Sequence, residues 1–209
     1  MTKIKLAKKI IKNHFLDLER NQRKFIPGKS KIPLAFPPYD AKEVCEALDS
    51  MMRLKTTMGN KVRKFESEFA KYVRTKYSIM VNSGSSANLL ALSILTNQYL
   101  GNNRIKIGDE VITPAVTWPT TVYPISNVGA VPKFVDVNLD DFSINVDEIE
   151  NSITKKTKAV MLVHLLGNPC DMRKIKKIVK KHNLWLIEDA CEAHGARYYQ
   201  KHVGSFGDL

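Results

Sequence analysis

The sequence predicts an α/β domain built on a mostly parallel sheet covered on both faces. Two observations carry that expectation. Short apolar runs of strand length alternate with longer stretches of helical periodicity. Residues able to do chemistry also fall at the ends of two such runs, where ligands sit in open α/β sheets.

Ile4 to Leu18 has a loose amphipathic helical pattern. Ile26 to Pro38 is rich in Pro, Gly and Lys and reads as an extended arm, so residues 1–38 are expected to form a basic N-terminal helix and arm. Residues 39–209 then form a larger domain. Ala41 to Leu54, and next Val62, Phe65, Phe69, Tyr72 and Val73, recur at helical spacing. Tyr77 to Val81 is strand-like, and a small-residue turn, Asn82 to Asn88, leads into an apolar helix over Ala87 to Leu100. Gly108-Asp109 punctuates a turn into the strand Val111 to Thr113. Pro119 to Asn127 reads as a helix with Gly129 as its stop. Lys133 to Val137, Ala159 to His164 and Leu184 to Ile187 read as strands, with helices over Val146 to Ile153 and Asp171 to His182 between them.

The chain has 209 residues, enough for a substantial core, with ordinary apolar (44%) and charged (26%) content. Its formal charge of +12 is uneven, because Met1 to Pro33 holds ten Lys/Arg against Asp17 and Glu19. Such a tail suits nucleic acid or an anionic membrane surface, but a solvated basic helix is the commoner reading, and no recognition motif accompanies it. Lysines interrupt every apolar stretch, so neither a signal peptide nor a membrane span is expected and the protein reads as cytoplasmic. Cys45, Cys170 and Cys191 are odd in number and far apart, which argues against a disulfide framework and a self-contained zinc site.

Asp189 follows the apolar run Leu184 to Ile187, so it faces a site beyond a strand's carboxyl end; its alternative is capping or pairing with a lysine. At the turn, Gly84 lets backbone approach an anion without a Cβ in the way. Ser85 offers a hydroxyl and an N–H at a helix start, where free N–H groups and the positive dipole end bind phosphate. An ordinary N-cap is the alternative for this serine-rich opening.

The ordered set Asn82-Ser-Gly-Ser-Ser-Ala-Asn88, Gly108-Asp-Glu-Val-Ile-Thr-Pro114, Phe134-Val-Asp-Val137, His164-Leu-Leu-Gly-Asn-Pro169 and Glu188-Asp189…Gly195 resembles the DegT/StrS sugar aminotransferases. Within them it is most similar to the nucleotide-sugar 3-dehydrase branch. The resemblance covers about Ile32 to Leu209 and implies the large domain of PLP-dependent transferase fold type I, reached before its C-terminal domain. It implies pyridoxal or pyridoxamine phosphate as cofactor, a nucleotide-linked 4-keto-6-deoxyhexose as substrate and a homodimer when full length. Removal of the C3 hydroxyl is expected, with sugar transamination as the alternative.

By the same resemblance Asp189 binds the pyridine nitrogen, where a negative charge favours the protonated ring, and Trp118 stacks on it. Glu192 stands where aminotransferases commonly carry Gln, near the cofactor's phenolic oxygen, which leans toward dehydration; a surface Glu is its alternative. His164 and Asn168 are expected to line the sugar pocket, with a satisfied core histidine the alternative for His164. Cys191 matches a residue that in some 3-dehydrases is the first ligand of an iron–sulfur cluster. Clusters need several thiolates and no others are suitably spaced, so an inert thiol and no metal are expected. The Schiff-base Lys, or the His replacing it in 3-dehydrases, is expected beyond Leu209.

Overall fold

Four parallel strands centre the fold in a computed structural model, which describes residues 2–21, 25–32 and 39–209. Packing divides the chain into two units, Met1–Arg63 and Lys64–Leu209.

The first unit is helical. Helix α1 spans Lys3–Arg20 and is capped by the Thr2 hydroxyl, which accepts from the Lys5 N–H. Helix α2 spans Ala41–Met52 and opens with a capping box, in which Glu43 Oε2 accepts from Asp40 N at 2.7 Å. Lys8 Nζ meets Asp49 Oδ1 at 3.3 Å and Cys45 Sγ donates to Lys8 O at 3.8 Å, tying the two helices together. Of the expected arm, Ile26–Ser30 is a turn whose Ser30 Oγ accepts from Ile26 N at 2.9 Å, and residues 33–38 lie outside the described residues. Helix α3, Asn60–Val73, crosses the division.

In the second unit helix α4 spans Gly84–Leu95, β1 Glu110–Pro114, α5 Pro119–Asn127, β2 Val131–Val135 and α6 Val146–Asn151. Strand β3 spans Thr157–Val163, α7 Met172–His182 and β4 Trp185–Asp189. The strand order is β2-β1-β3-β4, every pair parallel, and parallel neighbours require a crossover, which the helices supply. Strand β3 shows why its sequence is apolar without alternation. Val160 and Leu162 enter one core cluster with Ile149 of α6 and Ile175 of α7. Ala159 and Met161 point the other way, to Leu92 of α4 and Ile125 of α5. Both faces are covered, as the fold-class expectation requires.

Three expectations are corrected. Tyr77–Val81 is not a strand: no segment among the described residues pairs with it, and Tyr77 and Ile79 are 74% and 64% exposed. Periodicity can propose a strand, but only a partner makes one. The apolar helix begins at Gly84 because the Ser83 side chain caps it by accepting from Ser86 N at 3.2 Å; it ends at Leu95, before a 3-10 segment, Gln98–Asn103. The last strand runs to Asp189, so that carboxylate is the strand's final residue, and turns, not a helix to be capped, follow it. Sequence reading also passes over a small antiparallel hairpin, β5 Arg197–Tyr198 and β6 Lys201–His202.

Candidate active site

Asp189 ends β4 at the carboxyl edge of the sheet, and its side chain is nine-tenths buried. Asn88 Nδ2 donates to its Oδ2 at 2.8 Å, Thr121 Oγ1 to the same oxygen at 3.0 Å, and the Cys191 N–H to Oδ1 at 3.2 Å. Three donors of different origin fix the carboxylate, because a buried charge without them is costly. Thr121 is itself joined to Thr117 Oγ1 at 3.1 Å.

Asn88 has a second task that explains its position. Pro124 lies inside α5 and has no N–H, so the carbonyl of Thr120, four residues earlier, lacks its helical donor. Asn88 Nδ2 fills that vacancy with its other hydrogen, at 3.1 Å from Thr120 O. One amide thus bridges a defect in α5 and the carboxylate of β4.

The first turn of α4 faces the same space. Gly84 and Asp189 wall one cavity of about 310 Å³ with Asn88 and Cys191. The Ser86 and Ala87 N–H groups are satisfied by Ser83, whereas those of Gly84 and Ser85 have no acceptor among the described residues. A Cβ on Gly84 would meet no atom within 4 Å, so nothing in the protein itself demands glycine there. The open ground above two free N–H groups at a helix start fits a phosphate. His202 lines this cavity too: its Nε2 lies 3.1 Å from Arg197 Nη2, and its buried Nδ1 has no partner.

The remaining expected site residues are placed as follows. Trp118 stands at the N-cap position of α5 without a side-chain cap bond, four residues after the end of β1, and is 70% exposed, so it is no core tryptophan and keeps a ring surface free. Glu192 lies outside the cavity wall, with Oε2 accepting from the Leu166 N–H at 2.7 Å. Leu166 has a left-handed backbone, φ 53°, and the carboxylate holds that strained turn. Asn168 is exposed, and its Nδ2 donates to Asp141 O at 3.4 Å. His164 is fully buried, the second of its two readings. Its Nδ1 accepts from Cys170 N at 3.1 Å, which leaves Nε2 to donate to Glu188 Oε2 at 3.0 Å. Burial, then the hydrogen bond and charge of Asp189 and the charge of Glu192, push the Cys191 thiol up to about 12.

Glu188, beside Asp189, points away from the cavity chemistry into the protein. Besides His164 it accepts from the N–H groups of Gly204 at 2.9 Å and of Phe206 and Gly207 at 2.5 Å. Burial pushes this carboxyl up, but the bonds from His164, Gly207 and Gly204 outweigh it and leave it below its ordinary range. Sequence reasoning missed Asn88, Thr121 and His202. Asn88 stands in the quoted motif, and Pro124 was a readable signal of a carbonyl in need of a donor; nothing local marked the other two.

The fold is an α/β domain in which a carboxylate fixed at a strand end shares a cavity with free helix N–H groups, an arrangement that fits an anionic ligand carrying a basic group. Its sequence is more specific. A family model described as the DegT/DnrJ/EryC1/StrS aminotransferase family matches residues 38–209, and the chain belongs to that family. It is 42% identical over 191 residues to the dTDP-4-dehydro-2,6-dideoxy-D-glucose 3-dehydratase of Saccharopolyspora spinosa, covering 91% of this chain and 41% of that protein. To the GDP-perosamine synthase of Escherichia coli O157:H7 it is 42% identical over 181 residues, 85% of this chain and 47% of that one. The fold matches a solved E. coli GDP-4-keto-6-deoxy-D-mannose-3-dehydratase with bound hydrated PLP at a TM-score of 0.77 and 40% identity. That match covers 85% of this chain and 45% of the other. The fold is that of the PLP-dependent fold type I large domain, and the chain spans less than half the length of the relatives it matches.

Proposed function

We propose that the chain is the cofactor-binding portion of a PLP- or PMP-dependent enzyme that removes the C3 hydroxyl from a nucleotide-linked 4-keto-6-deoxyhexose in deoxysugar or lipopolysaccharide biosynthesis. The observation that carries this is the single cavity walled by Gly84 and Asp189, in a chain about 40% identical to such dehydratases. When bound, the cofactor supplies an electron sink beside the amino group it carries. Gly84 and Ser85 hold the phosphate through their free N–H groups, and Trp118 stacks its ring surface. Asp189, oriented by Asn88 and Thr121, holds the proton of the ring nitrogen. Residues 39–209 supply this partial domain, and the basic residues 1–38 stand outside the chemistry. Glu192, whose carboxylate holds the Leu166 turn, keeps the role near the cofactor's phenolic oxygen that the resemblance implies, and Asn168 that of a sugar-pocket residue. A homodimer in the cytoplasm completes the proposal, without nucleic acid or membrane as partner.

Transamination of the same class of sugar is the second reading, favoured by the 42% identity to a perosamine synthase. Borohydride reduction of the full-length protein with PLP separates the two. The dehydratase is expected to carry His at the Schiff-base position, to bind cofactor non-covalently and to lose it on dialysis. Stable labelling of a lysine there transfers the assignment to the aminotransferase.

A further inference from the structure

The β5–β6 hairpin has two working faces. Arg197 pairs with His202, which lines the cavity of Asp189, and Tyr198 pairs with Lys201, which lines a different cleft of about 560 Å³. Around that second cleft stand four cations from three parts of the unit: Arg74 just after α3, Arg173 and Lys176 one turn apart on α7, and Lys201. None of the four has a carboxylate partner among the described residues, although Lys174 and Lys181 of the same helix do. Asp171 accepts from Tyr198 Oη at 2.7 Å and pairs with Lys174 at 4.0 Å, and reaches Arg173 only through longer-range attraction.

Gathering cations this way is unfavourable without an anion. Lys201 is the least solvated of the four: burial, then the charge of Lys176, lower its pKa against the raising charge of Glu188, while its Nζ donates to Ser205 O and lies 4.5 Å from the centre of the Phe206 ring. At the hairpin tip Tyr199 has φ 52° and is 73% exposed, its ring edge-on to Tyr198 at 4.9 Å. Glycine or asparagine would make that turn with less strain, so the backbone gives no reason for tyrosine. An exposed ring beside an unneutralised cationic cleft is a stacking surface next to a phosphate site.

We propose that this cleft is a second ligand site, separate from the Asp189 cavity, that takes a nucleoside diphosphate: Arg74, Arg173, Lys176 and Lys201 bind the diphosphate and Tyr199 stacks on the base. The hairpin between the two cavities would let its occupant bear on the wall that His202 contributes to the other.

Calorimetric titration of the full-length protein, with excess PLP present to fill the first cavity, tests this with ADP and inorganic diphosphate as probes. Saturable binding of both is expected, stronger for ADP and weakened by salt. The exposed double variant Arg173→Glu/Lys176→Glu should weaken both ligands at least about ten-fold, the loss of a charge-assisted contact. Tyr199→Gly relieves the left-handed strain without loss of melting temperature, and should weaken ADP while leaving diphosphate unchanged. Lys64→Glu, on exposed α3, should change neither. Absence of saturable ADP binding up to about 5 mM, or affinity unaltered by the charge reversal, overturns the site. Equal behaviour of the two ligands in Tyr199→Gly overturns the nucleoside assignment.

Discussion

At the residue scale, Asn88 links two problems that belong to different elements. Its amide covers the carbonyl that Pro124 leaves unpaired and also steadies Asp189. Truncation to alanine removes both bonds while leaving the charge of Asp189 in place. Asn88→Ala in the full-length protein is therefore expected to weaken cofactor binding about ten-fold, read by absorbance titration. Asp189→Asn should weaken it further; equal affinity in Asn88→Ala and wild type would remove Asn88 from the site. Glu188 gives a pH prediction. Its folded pKa lies below the ordinary value of 4.5, so its contribution to stability is complete above that value. The contribution is lost as pH falls through the lower, folded value. Glu188→Gln presents an amide to backbone N–H donors and is expected to cost about 3 kcal/mol near neutrality. Urea midpoints between about pH 3 and 7 should show the acid loss in the wild type and a flatter profile in the variant.

At the element scale, α5 was readable because a start and a stop signal accompany it, whereas the Ser83 cap of α4 went unread. Pro119 opens α5 and Gly129 closes its turn, as the spacing predicts. Gly129 has φ 80°, and a Cβ there would lie 2.9 Å from Ile107 Cγ1. Gly129→Ala combines left-handed strain with that overlap and is expected to lower stability by about 1–3 kcal/mol, checked by chemical denaturation. Strands were less readable. Val111 to Thr113 lies within β1, and Leu184 to Ile187 overlaps β4 from Trp185 onward, because each finds neighbours in the sheet. Tyr77 to Val81 has a similar pattern and finds none; its Met80 N–H is satisfied instead by Glu66 Oε1 at 2.9 Å.

At the scale of the whole molecule, the second unit carries apolar surface that its own residues leave uncovered. A cleft of about 570 Å³ separates Tyr77 to Val81 from Ile187 and Leu209, while Asp208 N donates to Leu186 O at 2.8 Å along the outer side of β4. The 209-residue chain in isolation is expected to bind ANS strongly and to self-associate. A monodisperse, cooperatively unfolding monomer without dye binding would count against that, and the full-length protein should sediment as a dimer with little dye binding.

The sequence by itself determined the fold class, the span of α5, and which small residues and acid were candidates for the site. Small residues at a helix start and an acid at a strand end are local features with local physical consequences. Tertiary structure alone decided which residues serve Asp189 and which strand-like segment pairs. It also decided that His164 is a core residue and that Glu192 holds the Leu166 turn. The physical reason is distance along the chain. Asn88 and Thr121 reach Asp189 across 101 and 68 residues, and such hydrogen bonds form only after the sheet has brought the elements together.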